Sequence, residues 1–229
     1  MRRSARIAGT VVMAVGVLAI AWTVLVWRWQ DPFTALYTHY QQHQLASNYE
    51  HLLATFPAPH YAAGASLAEA RVEVRDAAHA FRRRAKPGTA IGRIRIPRLG
   101  LNMVFVNGTD HDTLKKGPGR YLGSYMPGEG QLVYVAGHRT TYLAPFSHID
   151  ALRAGDRVTL SMPYGTFEYA ITRHVIVKAD DLAVLRSHGR ELLALQACHP
   201  RFFATHRYIA YARLVRFSLP GGRSFALAA

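Results

Sequence analysis

The sequence predicts a mainly β protein preceded by an apolar helix and a short helical region, and three observations lead there. From Ala90 onward, short alternating or wholly apolar runs recur between turns rich in Gly, Pro and Asn. No strand–helix–strand rhythm of about 30 residues and no internal repeat interrupts them. Ahead of them lies a 21-residue stretch without a charge, Ile7–Trp27, followed by a region of helical periodicity.

Composition narrows the function. The chain has 229 residues, enough for one well-buried domain plus an appendage. It carries 28 Lys+Arg against 14 Asp+Glu, a formal charge of +14. Such a balance suits a nucleic acid, an anionic membrane or a cell wall. The basic residues are scattered through strands and loops, with no zinc-finger spacing and no aromatic RNA-binding motif, so nucleic acid is not expected as a partner. One cysteine excludes an intrachain disulfide and any CxxC metal or redox site.

Taken in order, Arg2, Arg3 and Arg6 precede the uncharged stretch, and Trp22, Trp27 and Trp29 gather at its far end. At 1.5 Å per residue the stretch crosses a hydrocarbon core of about 30 Å. The arginines place the N-terminus in the cytoplasm and the rest outside, and the tryptophans suit an interfacial belt. A cleaved signal peptide is the alternative; the long core and bulky exit favour an uncleaved single-pass anchor.

Asp31-Pro32 reads as a helix start, and Ala35, Leu36, Tyr40, Leu45, Tyr49, Leu52, Leu53 and Phe56 recur at a roughly helical period. Phe56-Pro-Ala-Pro59 ends that run, and Ser66–Phe81 is a second helix running into Arg82-Arg-Arg84. This region, 30–89, is expected to be an extracytoplasmic helical stalk and linker. His39 and His43 lie one turn apart without the Glu that a zinc-binding His-Glu-x-x-His needs, so no metal is expected there.

The strands follow: Ile91–Ile96, Leu101–Val106, Leu132–Ala136, Asp156–Met162, Thr166–Val177, Leu192–Ala197 and Tyr208–Phe217. Helical pieces are limited to near Asp112–Lys115 and Pro145–Leu152. Strands at this density, joined mostly by short turns, form a mainly antiparallel barrel or sandwich.

The chemistry centres on Cys198. An apolar strand delivers it to its end, and His199-Pro200 breaks the run. An unpaired thiol is rare outside the cytoplasm, so a nucleophile is favoured over an inert buried cysteine. Such a thiol needs a group to hold or exchange its proton. His138 is the best placed, because Val133–Gly137 is a second apolar strand ending at Gly-His. His199 is its chain neighbour and points to the opposite face; His206, in the following loop, stays open. Arg207 begins the next strand and is the cation expected at the oxyanion, with Arg201 the competing choice, expected to be solvated. No orienting carboxylate is expected.

These residues resemble the sortases, membrane-anchored cysteine transpeptidases of Gram-positive bacteria. The likeness covers about 90–217: Ile94-x-Ile-Pro97, Gly117-Pro-Gly, Met126-Pro-Gly128, Ala136-Gly-His138, Gly155-Asp156 and Ala194-Leu-Gln-Ala-Cys198. His-Arg-Thr-Thr-Tyr at 138–142 and Cys-His-Pro-Arg at 198–201 look most like the actinobacterial class E type. The resemblance implies an eight-stranded β-barrel over 90–217, after a cytoplasmic tip and anchor over 1–29, with 218–229 as a tail. It implies Cys198 as nucleophile, His138 as general acid/base and Arg207 as stabiliser of the oxyanion. The implied reaction cleaves a Leu-Pro-x-Thr-Gly or Leu-Ala-x-Thr-Gly sorting signal of a secreted protein and passes the acyl group to an amine of a peptidoglycan precursor or a pilin. Neither cofactor nor calcium is expected. A pilin-polymerising or mainly hydrolytic sortase uses the same residues, and an inactive basic wall-binding β-domain is the non-enzymatic alternative. The usual Thr-Leu-x-Thr-Cys carries alanines here at 194 and 197, so Ala197, beside the nucleophile, and Tyr121, after Gly-Pro-Gly, are the substrate-binding candidates.

Overall fold

The structure is a computed structural model that describes residues 2–29, 32–57, 64–221 and 223–227. The expected cap Asp31 and the side chains of Trp27 and Trp29 lie outside what is described.

Helix α1 (Arg2–Trp29) contains the apolar stretch. Within it, Ala5–Val24 has a mean hydropathy of 2.2, and none of it is buried by the rest of the chain. Twenty helical residues rise about 30 Å, the depth of a hydrocarbon core. Apart from Trp22, whose ring lies 5.8 Å from that of Phe33, the window stands clear of the described residues, so length and exposure both suit a membrane anchor.

Nine strands form one sheet: β1 (Ala90–Ile96), β2 (Leu101–Asn107), β3 (Gly119–Arg120), β4 (Leu132–Ala136), β5 (Arg157–Met162), β6 (Gly165–Lys178), β7 (Leu192–His199), β8 (His206–Ser218) and β9 (Ser224–Ala226). The order is β6-β5-β1-β2-β3-β4-β7-β8-β9, and β6 also pairs with β8. That last pairing closes eight strands into a barrel and leaves no free edges among them. Pairing is antiparallel except at β2–β3 and β4–β7. Two strands escaped the sequence reading. β3 has only two residues, too few to show a period, and β9 places part of the expected tail on the edge of β8.

Alternation decides the inside. Ile94, Ile96, Phe105, Val133, Val135, Val158, Leu160, Phe167, Tyr169, Leu193, Leu195, Ala210 and Ala212 fill the barrel. Each large side chain removed from water there stabilises by about 1.5–3 kcal/mol.

The region expected as a stalk is packed on the barrel. In α2 (Pro32–Thr55), Leu45 and Tyr49 are buried against Ala90, Val104 and Val106. The Tyr49 hydroxyl donates to the Ser161 carbonyl at 2.9 Å, and burial pushes its pKa up to about 12. Pairing of β2 with β3 is limited to Val106 and Asn107. Gln42 serves the stretch before it as a neighbouring strand would: its amide donates to the Val104 carbonyl and accepts from the Val104 N–H, each at 2.9 Å. In α3 (Leu67–Arg84), Ser66 and Glu69 form a capping box, with Glu69 Oε2 accepting from the Ser66 N–H at 2.7 Å. Ala70, Val74, Ala78 and Phe81, spaced one turn apart on one face, enter the barrel's own core cluster.

A buried cation ties β2 to β3. Arg120 is only 2 % exposed, and its Nε and Nη2 donate to Asn107 Oδ1 at 3.0 and 2.7 Å. Its Nη1 donates to the Ser124 carbonyl. Arg120→Ala leaves those acceptors unpaired in the interior and is expected to cost about 1–3 kcal/mol. The urea midpoint should fall with the slope unchanged, and an unchanged midpoint would show that this network carries no stability.

Candidate active site

The site is built on the pairings of β7. On one side β7 runs parallel to β4, from Leu132 opposite Leu192 to Ala136 opposite Gln196. Gly137 extends this ladder by donating its N–H to the Gln196 carbonyl at 3.0 Å. The next residues along the two chains are His138 and, past Ala197, Cys198. A glycine is required before His138: a Cβ at 137 would sit 2.7 Å from the Phe146 ring. On its other side β7 runs antiparallel to β8, with Cys198 directly opposite Arg207.

Parity sets the faces. Leu193, Leu195 and Ala197 point into the barrel, while Ala194 packs in an outer cluster with Leu132, Tyr134, Ile209 and Tyr211. Cys198 and Arg207 therefore share the outer face, where opposed Cβ atoms lie about 4.5–5.5 Å apart. The Cys198 thiol is half-buried and free. Arg207 Nη1 is held by the carbonyls of Ala204 at 2.7 Å and His206 at 3.0 Å, so the guanidinium lies against the loop that leaves Cys198.

His138 is half-buried, and its Nε2 is buried without a hydrogen-bond partner among the described residues. The ring lies 5.0 Å from that of Tyr142. Burial, and secondarily the charge of His111, hold the imidazole pKa below its ordinary value. The ring is thus weakly basic, and its imidazolium is a correspondingly strong acid.

The other candidates are engaged elsewhere. His199 Nδ1 lies 2.9 Å from Arg139 Nη1, and since arginine only donates, the imidazole accepts there. His206 Nδ1 lies 2.9 Å from the Thr205 hydroxyl. Arg201, expected in solvent, is half-buried and donates to the Ser147 carbonyl instead, tying the Cys198 loop to the His138 loop. Ala197 is fully buried, with its methyl inside the barrel. It is thereby corrected as a substrate contact, because odd-numbered β7 residues face the core. Tyr121 does stand on the outer face, against the cluster that includes Tyr134 and 6.4 Å from that ring.

Arg139 was not singled out by the sequence reading. It is 5 % exposed, donates to the Cys198 carbonyl at 3.2 Å and pairs with Asp150 at 3.2 Å. Its guanidinium also covers the Tyr208 ring at 5.7 Å. A charge this buried persists only when it is paired, and here the pairing pins the end of β7. Its position next to His138 was the one available signal. Asp150, the nearby carboxylate, serves Arg139.

On the outer faces of β7, β4 and β8, Leu132, Tyr134, Ala194, Ile209 and Tyr211 form a buried apolar cluster with Val184 and Leu185 packed against it. The Tyr134 hydroxyl donates to Gln196 Oε1 at 2.7 Å beside it. Leu192, six residues from Cys198 and about 20 Å away along the strand, borders a cavity of about 310 Å³ lined also by Arg173, Arg186, His188 and Arg190.

A closed barrel that brings a thiol, an imidazole and a guanidinium to one end defines a recognisable class of protein. Residues 94–215, over half the chain, match the family described as Sortase, sortase domain, and the chain belongs to that family. It is 37% identical over 132 residues to Sortase D of Bacillus subtilis (strain 168), covering 56% of this chain and 65% of that protein. Among solved structures, sortase E from Streptomyces avermitilis is 32% identical with a TM-score of 0.53, over 58% of this chain and 93% of that one. A Clostridium perfringens Sortase D5 transpeptidase shares the fold with a TM-score of 0.59 at 22% identity, covering 76% and 98%.

The lowered pKa of His138 has a checkable sign. The folded state disfavours the imidazolium, so His138 detracts nothing from stability above pH 6.5, and stability is lost as pH falls from there through the lowered value. An NMR titration should place His138 below 6.5, and Tyr142→Ala should raise it by opening the ring to water. A wild-type midpoint at or above 6.5 would contradict the burial argument.

Proposed function

We propose that the domain is a cysteine transpeptidase that cleaves a sorting signal between Thr and Gly and transfers the acyl group to a cell-wall amine. The observation that carries this reading is the placement of Cys198 opposite Arg207 on the outer face, with the parallel β4 delivering His138 to the same end.

The residues divide the reaction as follows. The Cys198 thiolate attacks the Thr carbonyl carbon, and the oxyanion that forms faces Arg207, whose charge favours it. The C–N bond breaks as the His138 imidazolium gives its proton to the departing Gly amine, leaving a thioester on Cys198. An acceptor amine then attacks that thioester, His138 takes the surplus proton, and the Cys198 thiolate leaves. The depressed pKa of His138 favours donation to the leaving amine while keeping the acid form a minority at neutral pH.

The proposed topology has the N-terminus in the cytoplasm and the barrel outside, where secreted substrates emerge; Arg2, Arg3 and Arg6 ahead of the apolar stretch support it by the positive-inside rule. The class E reading rests on His-Arg-Thr-Thr-Tyr, on Cys-His-Pro-Arg and on the likeness to sortase E at 32% identity. The likeness to Sortase D at 37% is of equal weight, so the substrate panel carries Leu-Pro-x-Thr-Gly and Leu-Ala-x-Thr-Gly peptides side by side.

Incubation with such a peptide should give a mass increment on Cys198 equal to the acyl fragment, and an added amine should discharge it into a ligated product. Cys198→Ala should abolish cleavage while staying folded; equal cleavage by variant and wild type would leave a wall-binding domain as the reading. Arg207→Ala should lower kcat by about 10²–10³. Turnover should be unchanged in chelator, and its loss there would mean that a metal takes part.

A further inference from the structure

The loop that follows His138 is held in an unfavourable backbone state. Tyr142, Leu143 and Ala144 have φ of 54°, 60° and 37°, three successive non-glycine residues in the left-handed region. Each costs on the order of 1 kcal/mol or more and persists only where the surroundings impose it. Part of that support is internal. The Phe146 N–H donates to the His138 carbonyl at 3.1 Å, that of Ala144 to Thr141 at 2.8 Å, and the Phe146 ring is fully buried.

The support at Tyr142 comes from 108 residues away. Its N–H donates to the Thr34 hydroxyl oxygen at 3.1 Å, and its ring meets Tyr37 edge-on at 6.3 Å. Thr34 and Tyr37 are three apart, neighbours on the first turns of α2. The next turn is clamped to the barrel: Thr38 donates to the Lys115 carbonyl at 2.9 Å and Gln42 to that of Lys116 at 2.8 Å. The other face of the contact is functional, because the Tyr142 ring lies against His138, whose Nε2 has no hydrogen bond among the described residues to orient it. The Tyr142 ring therefore contributes to the imidazole's angle and to its burial. Titratable or charged groups facing this junction are His111 and Lys115 from the β2–β3 connection, with Tyr37 and Tyr142 themselves.

We propose that Thr34 and Tyr37 are positioning residues for His138, acting through Tyr142. The membrane-proximal helix thereby becomes part of the device that places the catalytic imidazole. Only residues 30 and 31 separate α2 from the end of the apolar helix. The catalytic part of this inference rests on the transpeptidase reading above.

The test uses the full chain in lipid nanodiscs, with Thr34→Val, Tyr37→Ala and the pair, and with Thr34→Ser and Tyr37→Phe as conservative controls. The first set should lower kcat by about 10- to 100-fold with KM nearly unchanged, as misplacement of a catalytic group does. The controls should return to near wild-type rates. In the same variants the NMR titration midpoint of His138 should rise toward 6.5, a readout that overall stability does not move. Folded variants with unchanged midpoint and unchanged kcat would overturn the inference. If the wild type fails to cleave any sorting peptide, the transpeptidase reading falls, while the His138 midpoint still tests whether α2 positions the ring.

Discussion

The arrangement on which the rest depends is the double pairing of β7. Parallel pairing with β4 sends both chains toward the same end of the barrel, and antiparallel pairing with β8 turns the chain back opposite Cys198. A parallel pair cannot be joined by a tight hairpin. The long path from β4 through β5 and β6 is therefore what allows two strand ends to meet. Were β4 and β7 antiparallel, His138 and Cys198 would stand at opposite rims.

The polar groups around that rim are secured by buried charge. Arg139 holds the carbonyl of Cys198 and the ring of His199 while Asp150 neutralises it. At the opposite end, Glu191 accepts from the N–H groups of Gly128 and Gly130 at 2.8 and 3.0 Å and from the Tyr169 hydroxyl at 2.7 Å. The first network secures the last residues of β7, and the second fixes loop backbone that no strand ladder reaches. Each has several partners, although Arg139 Nε is buried without one among the described residues.

The helices do more than link an anchor to a domain. α3 completes the barrel core through a one-turn spacing of small and apolar residues, and α2 supplies through Gln42 the hydrogen bonds that a longer β3 would have made. Most of a helix's stability in a folded protein comes from such packing of one face.

Much of this was legible in the sequence for local reasons. The apolar stretch of α1, the alternation in β5 and β6, the Pro32 and Ser66 helix starts and the arrival of Cys198 at a strand end are properties of neighbouring residues. Two-residue β3 and the late β9 were not, because so few residues show no period. Nor was Arg139, since adjacency to His138 does not reveal which side of a sheet edge a guanidinium takes. By itself the sequence determined the family motifs around Cys198 and His138 and the faces between which their strands alternate. Only the tertiary structure decided that β4 and β7 run parallel, that Arg201 is tied down while Arg207 stands opposite Cys198 in register, and that Thr34 reaches Tyr142. The physical reason is range: period and capping are set within a few residues, whereas strand register and helix docking are set by closing long loops around a shared core.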